Sequence, residues 1–101
     1  MILPSESAGG PSAPIRFALG RLVATPAALE ALTLNDIIAA LARHHRGDWG
    51  DVGKEDQDEN ELSLQQGFRL FSVYHGANGT KFYIITEKNR TITTVLLPSD
   101  Y

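Results

Sequence analysis

Residues 68–98, FRLFSVYHGANGTKFYIITEKNRTITTVLLP, decide the fold. Three runs within them, Phe68–Tyr74, Lys81–Thr86 and Thr91–Leu97, are rich in β-branched and aromatic residues, which suit a pleated, half-buried surface. Asn78-Gly79 lies inside the link His75–Thr80 and is a hairpin signal, because the positive φ angles of a tight hairpin favour Asn and Gly. Lys88-Asn89 marks the next turn, and Pro98, without an N–H to donate, stops the last strand. Three strands joined by short links give an antiparallel meander.

Upstream, the periodicity changes from two to 3.6. Thr25-Pro26 starts a helix over Pro26–Leu32, with Thr at the N-cap and Pro where its missing N–H costs nothing. Ala28, Leu29 and Leu32 are its expected buried stripe. Thr33-x-x-Asp36 approximates a capping box for a second helix, in which Leu34, Ile37, Ile38 and Leu41 follow the i, i+3, i+4, i+7 pattern of a core face. Four residues further, His45 falls on that same face. Arg43, His44, His45 and Arg46 fill the last turn, where cations complement the helix dipole, and Gly47 ends it. A third helix is expected from about Lys54 to Gln66, closed by Gly67, with only Leu62 and Leu64 as apolar content.

Ile15–Ala24 reads as a short extended segment carrying Phe17, Leu19 and Val23, with Gly20 at a bulge or turn. Residues 1–14 hold three prolines, three serines and two glycines and read as a flexible tail ahead of a single domain, 15–101. The expectation is an α+β domain: two to three N-terminal helices packed on a C-terminal three-stranded antiparallel meander, with room for a short N-terminal strand.

Composition bounds the function. The 101 residues suit one domain, and 43% apolar with 21% charged residues is ordinary for a globular protein. No cysteine is present, which excludes disulfides and thiolate metal sites. The net charge of −3 disfavours direct nucleic-acid binding, which wants a basic stripe. No apolar run reaches the length of a membrane span, and the first residues, Met1 to Ser7, lack the basic and apolar regions of a signal peptide; a cytoplasmic location is expected, with no membrane partner.

The densest polar chemistry is His44-His45-Arg46-Gly47-Asp48-Trp49-Gly50-Asp51, which includes the single tryptophan. Adjacent helical histidines point about 100° apart and cannot readily share one metal. Asp56-x-Asp58-x-Asn60 starts like a calcium loop, but Glu61 and Gly67 stand where Gly and Glu are required. Neither a metal nor a cofactor is expected. The glycines around Trp49 imply a shaped loop, either stapling the second helix to the sheet or forming a partner-binding or active-site loop. Between Asp48 and Glu61, seven acids face one base, Lys54. No Gly-x-Ser-x-Gly elbow or phosphate-cradling loop is present.

Four stretches taken together carry a family resemblance: Val23-Ala24-Thr25-Pro26-x-Ala28-Leu29; Leu41-Ala42-Arg43-His44-x-x-Gly47-Asp48-Trp49-Gly50; Asp56-x-x-x-Asn60; and Ile85-Thr86-Glu87-x-x-Arg90-x-x-Thr93-Thr94-Val95-Leu96-Leu97-Pro98-x-x-Tyr101. Over residues 20–101 the chain resembles a group of small plasmid- and integrative-element-borne proteins, labelled "plasmid-related" or as restriction–modification subunits. The second label does not suit a chain of 101 residues without a methyltransferase cofactor loop. The resemblance implies mobile-element cargo, a setting of anti-defence proteins and toxin–antitoxin pairs, and carries no catalytic residues with it.

Three function classes follow. The first is a non-enzymatic interaction module, an inhibitor of a host defence complex that binds nucleic acid. It would bind its protein partner through an acidic surface of Asp48, Trp49, Asp51, Glu55, Asp56, Asp58 and Glu59. The second is a small toxin-like nuclease or hydrolase built on His44, His45, Asp48, Glu87 and Arg90, in which Glu87 would have to meet a histidine for acid–base work. The third, which the charge balance makes least favourable, is a nucleic-acid-binding regulator. Removing residues 1–14 should leave the melting temperature within a few degrees, since little apolar surface is lost. A fall of more than about 10 °C in a thermal melt would show that this segment is docked.

Overall fold

The structure, a computed structural model, describes residues 13–101. The expected tail 1–14 therefore lies outside the described residues, apart from Ala13 and Pro14. The chain is α+β, in the order β1 (Arg21–Ala24), α1 (Pro26–Ala31), α2 (Leu34–His45), α3 (Lys54–Gln66), β2 (Leu70–His75), β3 (Lys81–Thr86) and β4 (Ile92–Leu96). The sheet is not the three-stranded antiparallel meander expected from the sequence. It has four strands in the order β1-β4-β3-β2, and β1 pairs parallel to β4, Arg21 opposite Ile92 and Ala24 opposite Val95. The other two pairings are antiparallel, with Leu70 opposite Thr86 and Tyr83 opposite Leu96. The extended segment before α1 thus becomes an edge strand of a mixed sheet. Gly20 enters it at φ 68°, where a Cβ would lie 2.4 Å from the Arg90 carbonyl oxygen.

The caps form as the sequence chemistry requires. The Thr25 hydroxyl accepts from the Ala28 N–H, and Thr33 and Asp36 close a capping box at 3.0 and 3.1 Å. Asp36 also accepts from the Ala77 N–H in the β2–β3 turn. These backbone donors hold its carboxyl below the usual carboxylate range.

The helix faces differ from the periodic reading. On α2 the inward residues are Ile37, Ala40 and His44, while Leu34 and Ile38 are 70% and 56% exposed. At α1 and its C-cap, Ala28 and Leu32 are buried as expected, but Leu29 is exposed. The small side chains win because both helices lie close against the sheet, where Ala28 and Ala40 pack with Leu32, Ile37, Tyr74, Phe82, Ile84 and Val95. His45, expected inward, is only half-buried.

α3 works differently. Its buried residues are polar, Asn60 and Ser63, and Leu62 is half exposed. It lies along the outer edge of β2. The Asn60 side-chain amide donates to the Phe71 carbonyl at 2.8 Å and accepts the Phe71 N–H at 3.0 Å, imitating one rung of a strand. The next rung is backbone: Val73 N–H donates to Trp49 C=O, and Asp51 N–H to Val73 C=O. Gly50 sits between them at φ 77°, where a Cβ would come within 2.0 Å of the Val73 oxygen. An edge strand that would otherwise offer unpaired amides is closed by these contacts. Asn60→Ala should lower stability by roughly 1–3 kcal/mol, since it removes two hydrogen bonds and leaves a part-buried N–H and C=O of Phe71 without a protein partner. Urea unfolding checks this, and a loss below about 0.5 kcal/mol would mean that water replaces the amide freely.

Candidate functional site

The residues of the His44–Asp51 stretch do not converge on one accessible centre. α2 carries His44 inward under the sheet, and the helix end then turns over Gly47 so that Trp49 follows it into the core. His44 has no exposed surface. Its Nδ1 is 2.6 Å from the Ser72 hydroxyl and its Nε2 is 2.8 Å from that of Thr86. Thr86 and Thr93 hydroxyls lie 2.7 Å apart, and Thr93 donates to the Leu19 carbonyl at 2.6 Å. Counting protons fixes the tautomer. Leu19 C=O can only accept, so the Thr93 proton is used there. Thr86 then donates to Thr93, His44 Nε2–H donates to Thr86, and Nδ1 accepts from Ser72. Every member is neutral and satisfied.

Burial is the main reason the His44 imidazole is pushed down to about 3, with His45 and Arg90 adding repulsion. His45 is also lowered, chiefly by burial and then by Arg46. Phe17 and Trp49 stand edge-on to the His44 ring at 5.1 and 5.8 Å.

The other residues expected in a hydrolytic site are engaged separately. Arg43 holds Asp48 at 2.7 Å, which keeps the Asp48 carboxyl below the usual range. Glu87 is 3.6 Å from Arg69. Arg90 donates to the carbonyls of Phe68 and Ser63. Among the described residues no group of three or more His, Asp or Glu side chains could hold a metal ion.

The residues expected at a partner surface divide. Trp49, 3% exposed, is not on it: its ring stacks on Phe17 and packs with Leu70, and its indole N–H donates to Glu61 at 3.0 Å. Glu61 also receives both guanidinium arms of Arg16, which depress its carboxyl and tie the segment before β1 to α3. Asp48, Asp51, Glu55, Asp56, Asp58 and Glu59 are all exposed. Asp51 meets His75 at 3.0 Å, and Lys54 pairs with Asp58. Among the described residues Glu55, Asp56 and Glu59 have no ion-pair partner.

The sequence reading missed a groove beside this acidic face. It measures about 290 Å³ and runs between α3 and the start of β2. Asp56 and Glu59 form one wall, Asn60 and Ser63 the floor, and Phe68, Arg69, Phe71 and Tyr101 the other wall. The available signal was the spacing Asp56, Glu59, Asn60, Ser63 on one helical face; no local pattern links Tyr101 to it.

Comparison with protein-family models, with curated proteins and with solved structures returned no match. Among the described residues no helix is long and apolar enough to cross a membrane.

The buried histidine has a pH signature. An unfolded chain binds a proton at His44 near pH 6.5, whereas the folded chain resists it down to about 3. Its contribution is therefore complete above pH 6.5 and is lost as pH falls through that window. Between pH 6.5 and 4.5 this should remove about 2–3 kcal/mol, before the depressed carboxylates of Asp48 and Glu61 titrate. His44→Gln should start from a lower stability but lose most of that slope in denaturant titrations across the range. An unchanged slope would assign the acid sensitivity to another group.

Proposed function

We propose that this chain is a non-enzymatic protein-interaction module whose α3 presents an acidic surface to a basic partner. The observation that carries the reading is the division of labour within α3. Its contacts with the rest of the fold run through Asn60, Glu61, Ser63 and Leu64. Glu55, Asp56, Asp58 and Glu59 are all left in solvent, and among the described residues only Asp58 is paired. A helix so poor in apolar residues and so rich in one charge complements a cationic surface, and it raises the rate of encounter with one. The neutral, sealed His44 and the separate engagement of Asp48, Glu87 and Arg90 give no comparable support to a hydrolytic reading.

The resemblance over residues 20–101 supplies the setting: mobile-element cargo acting in the host cytoplasm. There, a nucleic-acid-binding defence complex offers the basic groove that such a surface would block. Reversal of Glu55, Asp56, Asp58 and Glu59 to lysine moves the net charge from −3 to +5. With tagged protein in a host lysate, the wild type should retain a defined basic polypeptide identified by mass spectrometry. The reversed variant, with an unchanged circular dichroism spectrum, should lose it. Capture should also fade as salt rises toward about 0.5 M, where the screening length drops below roughly 5 Å. Equal capture by both proteins would remove the acidic surface from the function.

A further inference from the structure

We propose that the groove between α3 and the aromatic wall is a binding site for an arginine side chain carried by an extended segment of a partner protein. The inference rests on the acidic-surface reading above and names the chemistry that surface recognises.

Four observations meet in the groove. First, the two carboxylates on its wall, Asp56 and Glu59, are without an ion-pair partner among the described residues, whereas their neighbours Asp58 and Glu61 are paired. Second, the opposite wall carries accessible aromatic rings beside Arg69, with Phe68 56% and Tyr101 69% exposed. Phe71, Tyr83 and Tyr101 form one cluster with centroids 4.8 to 6.3 Å apart. Third, the floor holds Ser63, 4% exposed, and its hydroxyl has no hydrogen-bond partner among the described residues. A hydroxyl at the floor without a protein partner is available to a polar group that enters the groove. Fourth, the aromatic wall already accepts a guanidinium: Arg69 lies over the Tyr101 ring at 5.7 Å and donates to its hydroxyl at 3.3 Å. That charge is balanced by Glu87, not by Asp56 or Glu59, so the acidic wall remains available.

The shape and chemistry select arginine over lysine. A planar guanidinium can lie on Phe71 or Phe68 and offer a fork of N–H donors to a carboxylate, while an ammonium gives a point charge without a stacking face. The groove holds about 290 Å³, which suits one long side chain.

The probe is the blocked tripeptide acetyl-Gly-Arg-Gly-amide, titrated into the full chain and followed by amide chemical shifts. Saturable shifts should centre on Ser63, Phe71 and Tyr101. The lysine analogue should bind more weakly. The citrulline analogue, of the same shape but neutral, should lose about tenfold or more, as expected when a charge-assisted bond is removed. Asp56→Asn with Glu59→Gln should weaken the arginine peptide similarly without disturbing the spectrum elsewhere, since both side chains are in solvent. Tyr101→Ala should weaken it while leaving every charge in place.

Glu55→Gln with Asp58→Asn lies outside the groove and should change affinity by about twofold at most in moderate salt. If this outer pair weakens the peptide as much as the groove pair, attraction is diffuse: the groove proposal fails and the acidic-surface reading stands. If the groove pair governs both the peptide and partner capture while reversal of Glu55 and Asp58 to lysine leaves capture intact, the site stands and the broad acidic-surface reading fails. Equal binding of the citrulline peptide, or no saturable shifts, overturns the proposal.

Discussion

The hydrogen-bond chain through His44 is the constraint on which the rest of the packing turns. A single imidazole at the end of α2 joins β2 through Ser72 and β3 through Thr86, and Thr86 passes the chain to β4 and to the backbone at Leu19. Four polar side chains with no exposed surface are acceptable in a core only when all are satisfied. Satisfaction here requires one tautomer and one direction of donation. Removing any member leaves its neighbours orphaned, so the network fixes the height of α2 over the sheet more strictly than apolar contacts alone. The Phe17, Trp49 and Leu70 cluster then closes over one side of it.

A second economy lies in α3. Most amphipathic helices contribute a greasy face. This one contributes an amide that completes the β2 ladder and a carboxylate, Glu61, that collects Arg16 and Trp49. Because polar groups do the attachment, the remaining positions are free to be acidic. The same arrangement that shields one sheet edge leaves a charged ridge and an aromatic-walled groove beside it.

Local chemistry was legible in the sequence wherever a cap or turn residue sets the backbone. Thr25-Pro26, the Thr33–Asp36 box and Gly67 placed the helices, and the β-branched runs placed β2, β3 and β4. The parallel pairing of β1 with β4 was not legible, because three helices and two strands intervene and Arg21–Ala24 shows no alternation of burial. The facing of α2 was misread by weighting Leu34 and Ile38 for bulk. The sheet instead selects Ala40 for closeness and His44 for its hydrogen bonds. Asp56 and Glu59 were visible as charges, but their relation to Phe71 and Tyr101 exists only after the strand edge is closed.

The two borders of the sheet are unequal. β2 is shut by Asn60 and by the Trp49–Asp51 backbone, whereas among the described residues nothing pairs with the outer side of β1, where Leu22 is half exposed. A sheet with one open border has a single valence. Two copies that met through β1 would form a closed pair about a twofold axis, with both ends of the joined sheet already sealed. Strand addition at the described border of β1 would therefore stop at a pair, since the closed border of β2 offers no second place to add.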